Sequence, residues 1–310
     1  MGLISGDALG GLVEFMSPGK IQSMYPQGLT EMKSGGTWNT IAGQPTDDSE
    51  MTLALAMSIL KNKTYDSDQA KSFYLEWLQS NPFDCGITTA TGLNGSPNLD
   101  SQANGALMRI SPIGIFGANF APEKVIGWAM QDADLTHPHP VCKQANALMA
   151  IAISKAISEQ LGPRETYDKI LEWAEELNVD SSLKLTIENA AISPPKDYLK
   201  NQGWVLIAFQ NALWQLLNAP DLTGAISNTI LRGGDTDTNA AICGALLGAV
   251  YGSKAIPTQW LDCIVNCRPE KGLEGVFRPR PQEYWPAKAP EYARQLVSNV
   301  EAKEDSETLN

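Results

Sequence analysis

The sequence predicts an all-α globule. Three observations carry that expectation. Apolar residues return every three or four positions through most of the chain, strand-like alternation is scarce, and Gly/Pro/Asn segments cut the periodic stretches to helix length. Helices are expected over 51–60, 70–78, 122–129, 143–157, 164–177, 204–217, 222–231 and 238–251, with loops at 81–98, 111–122, 193–203 and 252–257. Gly2, Gly6 and Gly10 recur every four residues, as do Gly244, Gly248 and Gly252. That spacing places each trio on one helix face, where two backbones can pack closely. Asp7 and Glu14, seven apart, are expected on one face of the first helix. No repeat of solenoid length is visible.

The chain has 310 residues, 43% hydrophobic and 19% charged, which suits an ordinary folded globule. A net charge of −12 argues against a nucleic-acid surface and against an anionic membrane surface. Five scattered cysteines without a CxxC pair argue against a disulfide framework or a zinc site. The longest apolar stretch, 240–251, is too short to span a bilayer, and no positively charged start precedes an apolar segment. The cytoplasm is the expected location, and a monomer the expected state. Residues 1–268 are expected to form the functional domain. The extension 269–310, with Pro279, Pro281, Pro286 and Pro290, is expected to wrap the globule in extended form and to fray over 301–310.

Two acidic clusters stand out, Thr46-Asp47-Asp48 and Asp235-Thr236-Asp237-Thr238. Carboxylates with neighbouring hydroxyls suit hard cations such as magnesium, manganese or calcium. Each cluster also precedes an apolar helix, so helix capping competes as an explanation. The pair Gly233-Gly234 lets the backbone turn sharply before the second. Glu14 is a candidate ligand or base, because an acid on an apolar helix is costly to bury unpaired. The loop Ser101-Gln102-Ala103-Asn104-Gly105 can present amide N–H groups to a phosphate. Arg109 is expected to pair with a buried acid. The only histidines, His137 and His139, share one Pro-locked loop, and no cysteine or third histidine supports zinc there.

Together these residues resemble the ADP-ribosylglycohydrolase family. The resembling segments are GDALGGLVEFM (6–16), SGGTW (34–38), GQPTDDSEMTLAL (43–55), NGALMR (104–109), LTHPHP (135–140) and GGDTDTNAA (233–241). The resemblance implies an orthogonal multi-helix bundle with two divalent ions, Mg2+ or Mn2+. It implies Thr46, Asp47, Asp48, Asp235, Asp237 and Thr238 as metal ligands, with Glu14 beside the metals or substrate. It assigns the segment Ser101–Gly105 to the diphosphate, His137 to the ribose pocket and Trp204 to an aromatic contact with the ligand. The implied reaction removes ADP-ribose from arginine side chains of proteins, with Asp48, Asp235 or Glu14 relaying the proton. The expected partner is an ADP-ribosylated protein and the product is ADP-ribose. Serine-linked or other O-linked ADP-ribose, or silent ADP-ribose binding, are the alternatives. One branch of the family, as aligned, carries aspartate where this chain has Ser101, so that residue's role does not transfer.

Overall fold

The computed structural model describes residues 1–298. The frayed end expected over 301–310 lies outside the described residues. The helices are α1 (Gly2–Gly10), α2 (Pro18–Met24), α3 (Asp47–Asn62), α4 (Ser67–Gln79), α5 (Ile87–Leu93), α6 (Ser111–Gly117), α7 (Pro122–Asp134), α8 (Pro140–Glu159), α9 (Pro163–Glu176), α10 (Ser181–Ala190), α11 (Val205–Asn218), α12 (Leu222–Ile230), α13 (Thr236–Tyr251), α14 (Thr258–Asn266) and α15 (Ala289–Ser298). Short 3-10 turns join some of them. Among the described residues there is no strand, only isolated bridges at Gly35–Thr40 and Ala103–Trp204. The fold is the expected all-α orthogonal bundle. No helix among the described residues is long and apolar enough to cross a membrane.

Two buried helices, α1 and α13, form the axis of the core. Their glycines permit a backbone-on-backbone contact. A Cβ on Gly2 would lie 2.2 Å from the Gly244 carbonyl oxygen, and one on Gly6 would lie 2.1 Å from that of Ala240. At the other end, a Cβ on Gly10 would meet Asp237 Cα at 2.4 Å. The helix pair therefore runs straight to the second acidic cluster. Gly252 departs from the expectation. It ends α13 with φ of 74° and has nothing within 4 Å of its would-be Cβ.

Several expectations need correction. Glu14 does not share a helix face with Asp7, because α1 stops at Gly10 and a series of turns follows. The loops expected at 81–98 and 111–122 contain α5 and α6. Their sequences, ITTATGL and SPIGIFG, are rich in glycine and β-branched residues that weaken the helical signal. Burial of Thr89, Leu93, Ile113 and Phe116 overrides that weakness. The helices α2 and α10 were also not expected. The extension is not extended throughout: α15 buries Ala289 and Leu296 in the core.

Two buried ion pairs tie the bundle together. Arg109 donates from Nε to Asp132 (3.1 Å), whose other oxygen accepts from Tyr74 Oη (2.9 Å). Arg280, from the extension, grips Glu50 on α3 with two 2.8 Å bonds, and Trp77 donates to the same carboxylate at 2.8 Å. Arg109 thus pairs with a buried acid, as expected.

Candidate metal centre

The N-termini of α3 and α13 meet at the C-terminal end of α1. Ordinary caps elsewhere show what these termini are not doing. Asp66, Asp180 and Asp221 each accept a backbone N–H from the start of their own helix. Thr46 and Asp235 occupy the same position and make no such bond. For α3 the reason is Asp7. One Asp7 oxygen accepts from Thr46 N (2.8 Å) and Thr46 Oγ1 (2.9 Å). The other accepts from Ser49 N (2.9 Å) and Ser49 Oγ (2.5 Å). An acid from α1 therefore meets the donors of α3, and Asp47 and Asp48 are left free of that task.

The free carboxylates converge. Ligand atoms of Asp7, Asp48 and Asp237 lie within 4.8 Å of one another, and so do those of Glu14, Asp84 and Asp237. Asp237 belongs to both groups. Thr46 Oγ1 lies 3.3 Å from Asp48 Oδ2 and from Asp237 Oδ2, and Thr238 Oγ1 lies 3.3 Å from Asp48 Oδ2. Asp47 accepts the Gly86 N–H at 3.3 Å, and Asp235 accepts from Asn104 Nδ2 at 2.6 Å. All of these acids but Asp84 are buried.

Such crowding is electrostatically unfavourable in the absence of cations. Burial, reinforced by neighbouring acids, holds Asp47, Asp48 and Asp237 well above the ordinary carboxylate range. Burial and then the charge of Asp84 push Glu14 up to about 8. Burial, then Asp7 and Asp235, push Asp84 up to about 6. No lysine or arginine forms a salt bridge with any of them among the described residues. Asp48 Oδ1 and Asp237 Oδ1 are buried without a hydrogen-bond partner among the described residues. A donor set of carboxylate and hydroxyl oxygens, two of them buried and unpartnered among the described residues, fits a hard divalent cation.

Glu14, Asp47, Asp84, Asp235 and Asp237 open into a cavity of about 410 Å³ lined also by Ala103, Asn104, Gly105 and His137, whereas Asp7, Thr46 and Asp48 lie behind that lining. Ser101 and Gln102 do not line it. Ser101 Oγ bonds to Thr88 Oγ1 (2.9 Å). Gln102 Oε1 accepts from Trp204 Nε1 (2.9 Å), and both residues line an adjoining open cleft. The cleft and the cavity share Ala103, Gln202 and Gly203. Of the loop amides, that of Ser101 is taken by the Asn98 carbonyl (3.3 Å) and that of Asn104 by the Gly203 carbonyl (3.0 Å).

His137 is fully buried, and burial and then Arg109 lower its pKa to about 3. It is neutral. Arg109 Nη2 donates to Thr136 Oγ1 (3.0 Å), which lies 2.7 Å from His137 Nδ1. Arginine only donates, so the Thr136 hydroxyl proton is free to go to Nδ1. Nε2, which has no partner among the described residues, then carries the hydrogen and offers a donor to the cavity.

Sequence reasoning missed Asp84, Gly86 and Phe15. Asp84 sits alone in a loop, and an isolated acid carries no periodic or cluster signal. A larger cavity of about 530 Å³ lies at the Gly2–Gly248 end of the helix pair, with no acid in its lining. Volume alone does not mark this site.

Comparison with known proteins agrees with this geometry. The family model described as ADP-ribosylglycohydrolase matches residues 1–285, a span that includes Arg280. The chain is 31% identical over 273 residues to the ADP-ribosyl-[dinitrogen reductase] glycohydrolase of Rhodospirillum rubrum, covering 84% of this chain and 87% of that protein. It is 24% identical over 307 residues to the ADP-ribosylarginine hydrolase Tri1 of Serratia proteamaculans (strain 568), covering 91% and 79%. A solved structure titled ADP-ribosylglycohydrolase-related protein complex has the same fold, with a TM-score of 0.74 at 24% identity over 97% of this chain and 94% of that one. With the family's sequence pattern spanning the helices that build the acidic centre, the chain belongs to the ADP-ribosylglycohydrolase family.

Proposed function

We propose that this chain hydrolyses the N-glycosidic bond between ADP-ribose and an arginine side chain, with two divalent ions, Mg2+ or Mn2+. The observation that carries the reading is the pair of acidic groups sharing Asp237, all buried but Asp84 and without a lysine or arginine partner among the described residues. Thr46, Asp47, Asp48, Asp235, Asp237 and Thr238 would hold the ions, with Glu14 and Asp84 alongside. Asp7 serves as support, since both its oxygens are already engaged by donors from α3. Bound divalent ions supply Lewis acidity and lower the pKa of bound water.

The remaining roles belong to the chain. Asn104 orients the Asp235 carboxylate through its 2.6 Å bond. His137 Nε2–H orients a sugar oxygen. Trp204 and Gln102, in the adjoining cleft, take the nucleotide end. When water replaces the guanidino nitrogen at the anomeric carbon, a carboxylate oxygen of Asp48, Asp235 or Glu14 takes the water's proton. The guanidino nitrogen leaves with a proton in turn. The partner is an ADP-ribosylated protein and the product is free ADP-ribose. The name of one relative, an ADP-ribosylarginine hydrolase, supports the arginine linkage.

The test is ADP-ribose release from an arginine-ADP-ribosylated protein and a serine-ADP-ribosylated peptide, side by side, with Mg2+, Mn2+ or EDTA. Metal-dependent release from arginine is expected. Release from serine alone would reassign the linkage. Binding of ADP-ribose with no release from either would favour a silent binder.

A further inference from the structure

Phe15 is a rim residue whose conformation and exposure both run against its chemistry. Its φ is 63°, in the left-handed region that disfavours a side chain. The other non-glycine residues with positive φ among those described are Asn39, Lys63, Asn81, Gln160 and Asn178. Asparagine tolerates that region, and Lys63 and Gln160 terminate helices. Phe15 has neither property. Its backbone is held by its neighbours: Phe15 N–H donates to the Gly234 carbonyl at 2.8 Å, and Gly234 N–H donates to that of Met16 at 3.0 Å. These bonds require no aromatic side chain, and glycine would suit the backbone better.

Packing does not account for the ring either. It is 57% exposed and stands outside the hydrophobic core. Among the described residues no other ring and no cation stacks on it. Yet it lines the cavity of Asp47, Asp235 and Asp237. Ile87, the first residue of α5 and also exposed, lines the same cavity.

We propose that Phe15 is a specificity-determining residue whose ring receives the guanidinium and methylene stem of the modified arginine, with Ile87 against the same stem. This rests on the arginine-linked reading above. ADP-ribose itself is mostly hydroxyl and phosphate, and adenine is its only flat apolar surface. Beyond the anomeric carbon the substrate changes character, to a planar cation on an aliphatic stem. A guanidinium stacks on an aromatic face and seeks negative charge beside it. Glu14 directly precedes Phe15, and Asp84 lies in the same acidic group. A serine linkage offers neither stem nor cation.

The test compares Phe15→Gly, which removes the ring and suits the backbone, with Phe15→Tyr, which keeps an aromatic face. Steady-state release from an arginine-ADP-ribosylated protein is measured with Mg2+ present. Free ADP-ribose binding is measured by calorimetry, and Tm is recorded as a fold control. Phe15→Gly is expected to raise KM for the modified protein about tenfold and to leave ADP-ribose affinity within about twofold, at an unlowered Tm. Phe15→Tyr is expected to stay within about twofold of wild type on both. An unchanged KM in Phe15→Gly overturns the inference, as does equal weakening of modified protein and free ADP-ribose. If wild type itself releases nothing from arginine, the functional reading fails and takes this inference with it. Wild-type turnover with an unaffected Phe15→Gly removes this inference alone.

Discussion

Glu50 and Asp237 are both buried acids of the same core, and they are neutralised in opposite ways. Glu50 has Arg280 bidentate at 2.8 Å and Trp77 at 2.8 Å. Asp132 has Arg109, and Asp7 has the backbone and hydroxyl donors of α3. Asp237 and its neighbours Asp47, Asp48 and Glu14 have no cation among the described residues. The comparison separates structural acids from site acids by what completes their charge. The first kind is satisfied within the chain. The second is complete only with something from outside, and its oxygens and orphaned atoms fit a hard cation.

The largest effect that sharpens this contrast is at Asp237. Asp237→Asn should lower ADP-ribose release by at least about 100-fold, since even groups supporting metal ligands commonly matter by 10–100-fold. It should also raise the Tm of EDTA-treated protein, because a crowded charge is gone. A lowered Tm with intact turnover would place Asp237 with the structural acids. Arg280→Ala is the opposite case. It leaves Glu50 buried and uncompensated, and should cost about 3–5 kcal/mol in denaturant unfolding. Adding Glu50→Gln should recover part of that loss, and the double-mutant cycle measures the coupling.

A third prediction concerns pH. The folded values of Glu14, about 8 against an ordinary 4.5, and Asp84, about 6 against 3.8, are both raised. Between each pair of values the folded chain binds more protons than the unfolded one, so stability falls as pH rises. Metal-free protein should lose Tm from about pH 4 to about pH 8, and added Mg2+ should restore it at the upper end. A flat profile would mean that the acids are satisfied without ions. The smallest effect is expected at Ser101, whose hydroxyl only ties its loop to Thr88. Ser101→Ala should raise KM by no more than about fivefold, one hydrogen bond being worth about 1 kcal/mol.

The acids and the core helices were legible in the sequence because they are local patterns. Thr46–Asp48 and Asp235–Thr238 are contiguous, and the glycines of α1 and α13 recur at helical spacing. What stayed hidden depends on distant partners. Nothing near Glu50 announces Arg280, 230 positions away. Asp84 joins the site only because α5, a helix of weak propensity, is buried there. The role of Asp7 as acceptor for the N-terminal donors of α3 needs the packing of α1 on α3 to be seen first. Ser101 and Gln102 looked like cavity residues from their neighbours Asn104 and Gly105, but Gln102 lines the adjoining cleft with Trp204, and the Ser101 hydroxyl is bonded to Thr88.

The unpaired acids are proposed as a divalent-ion site. The direct measurement is a calorimetric titration of EDTA-treated protein with Mn2+ at neutral to mildly basic pH, for wild type and Asp237→Asn. Two ions per chain in wild type, with affinity reduced by at least about 100-fold in the variant, is the predicted result. No binding in wild type, or equal binding in both, would contradict it.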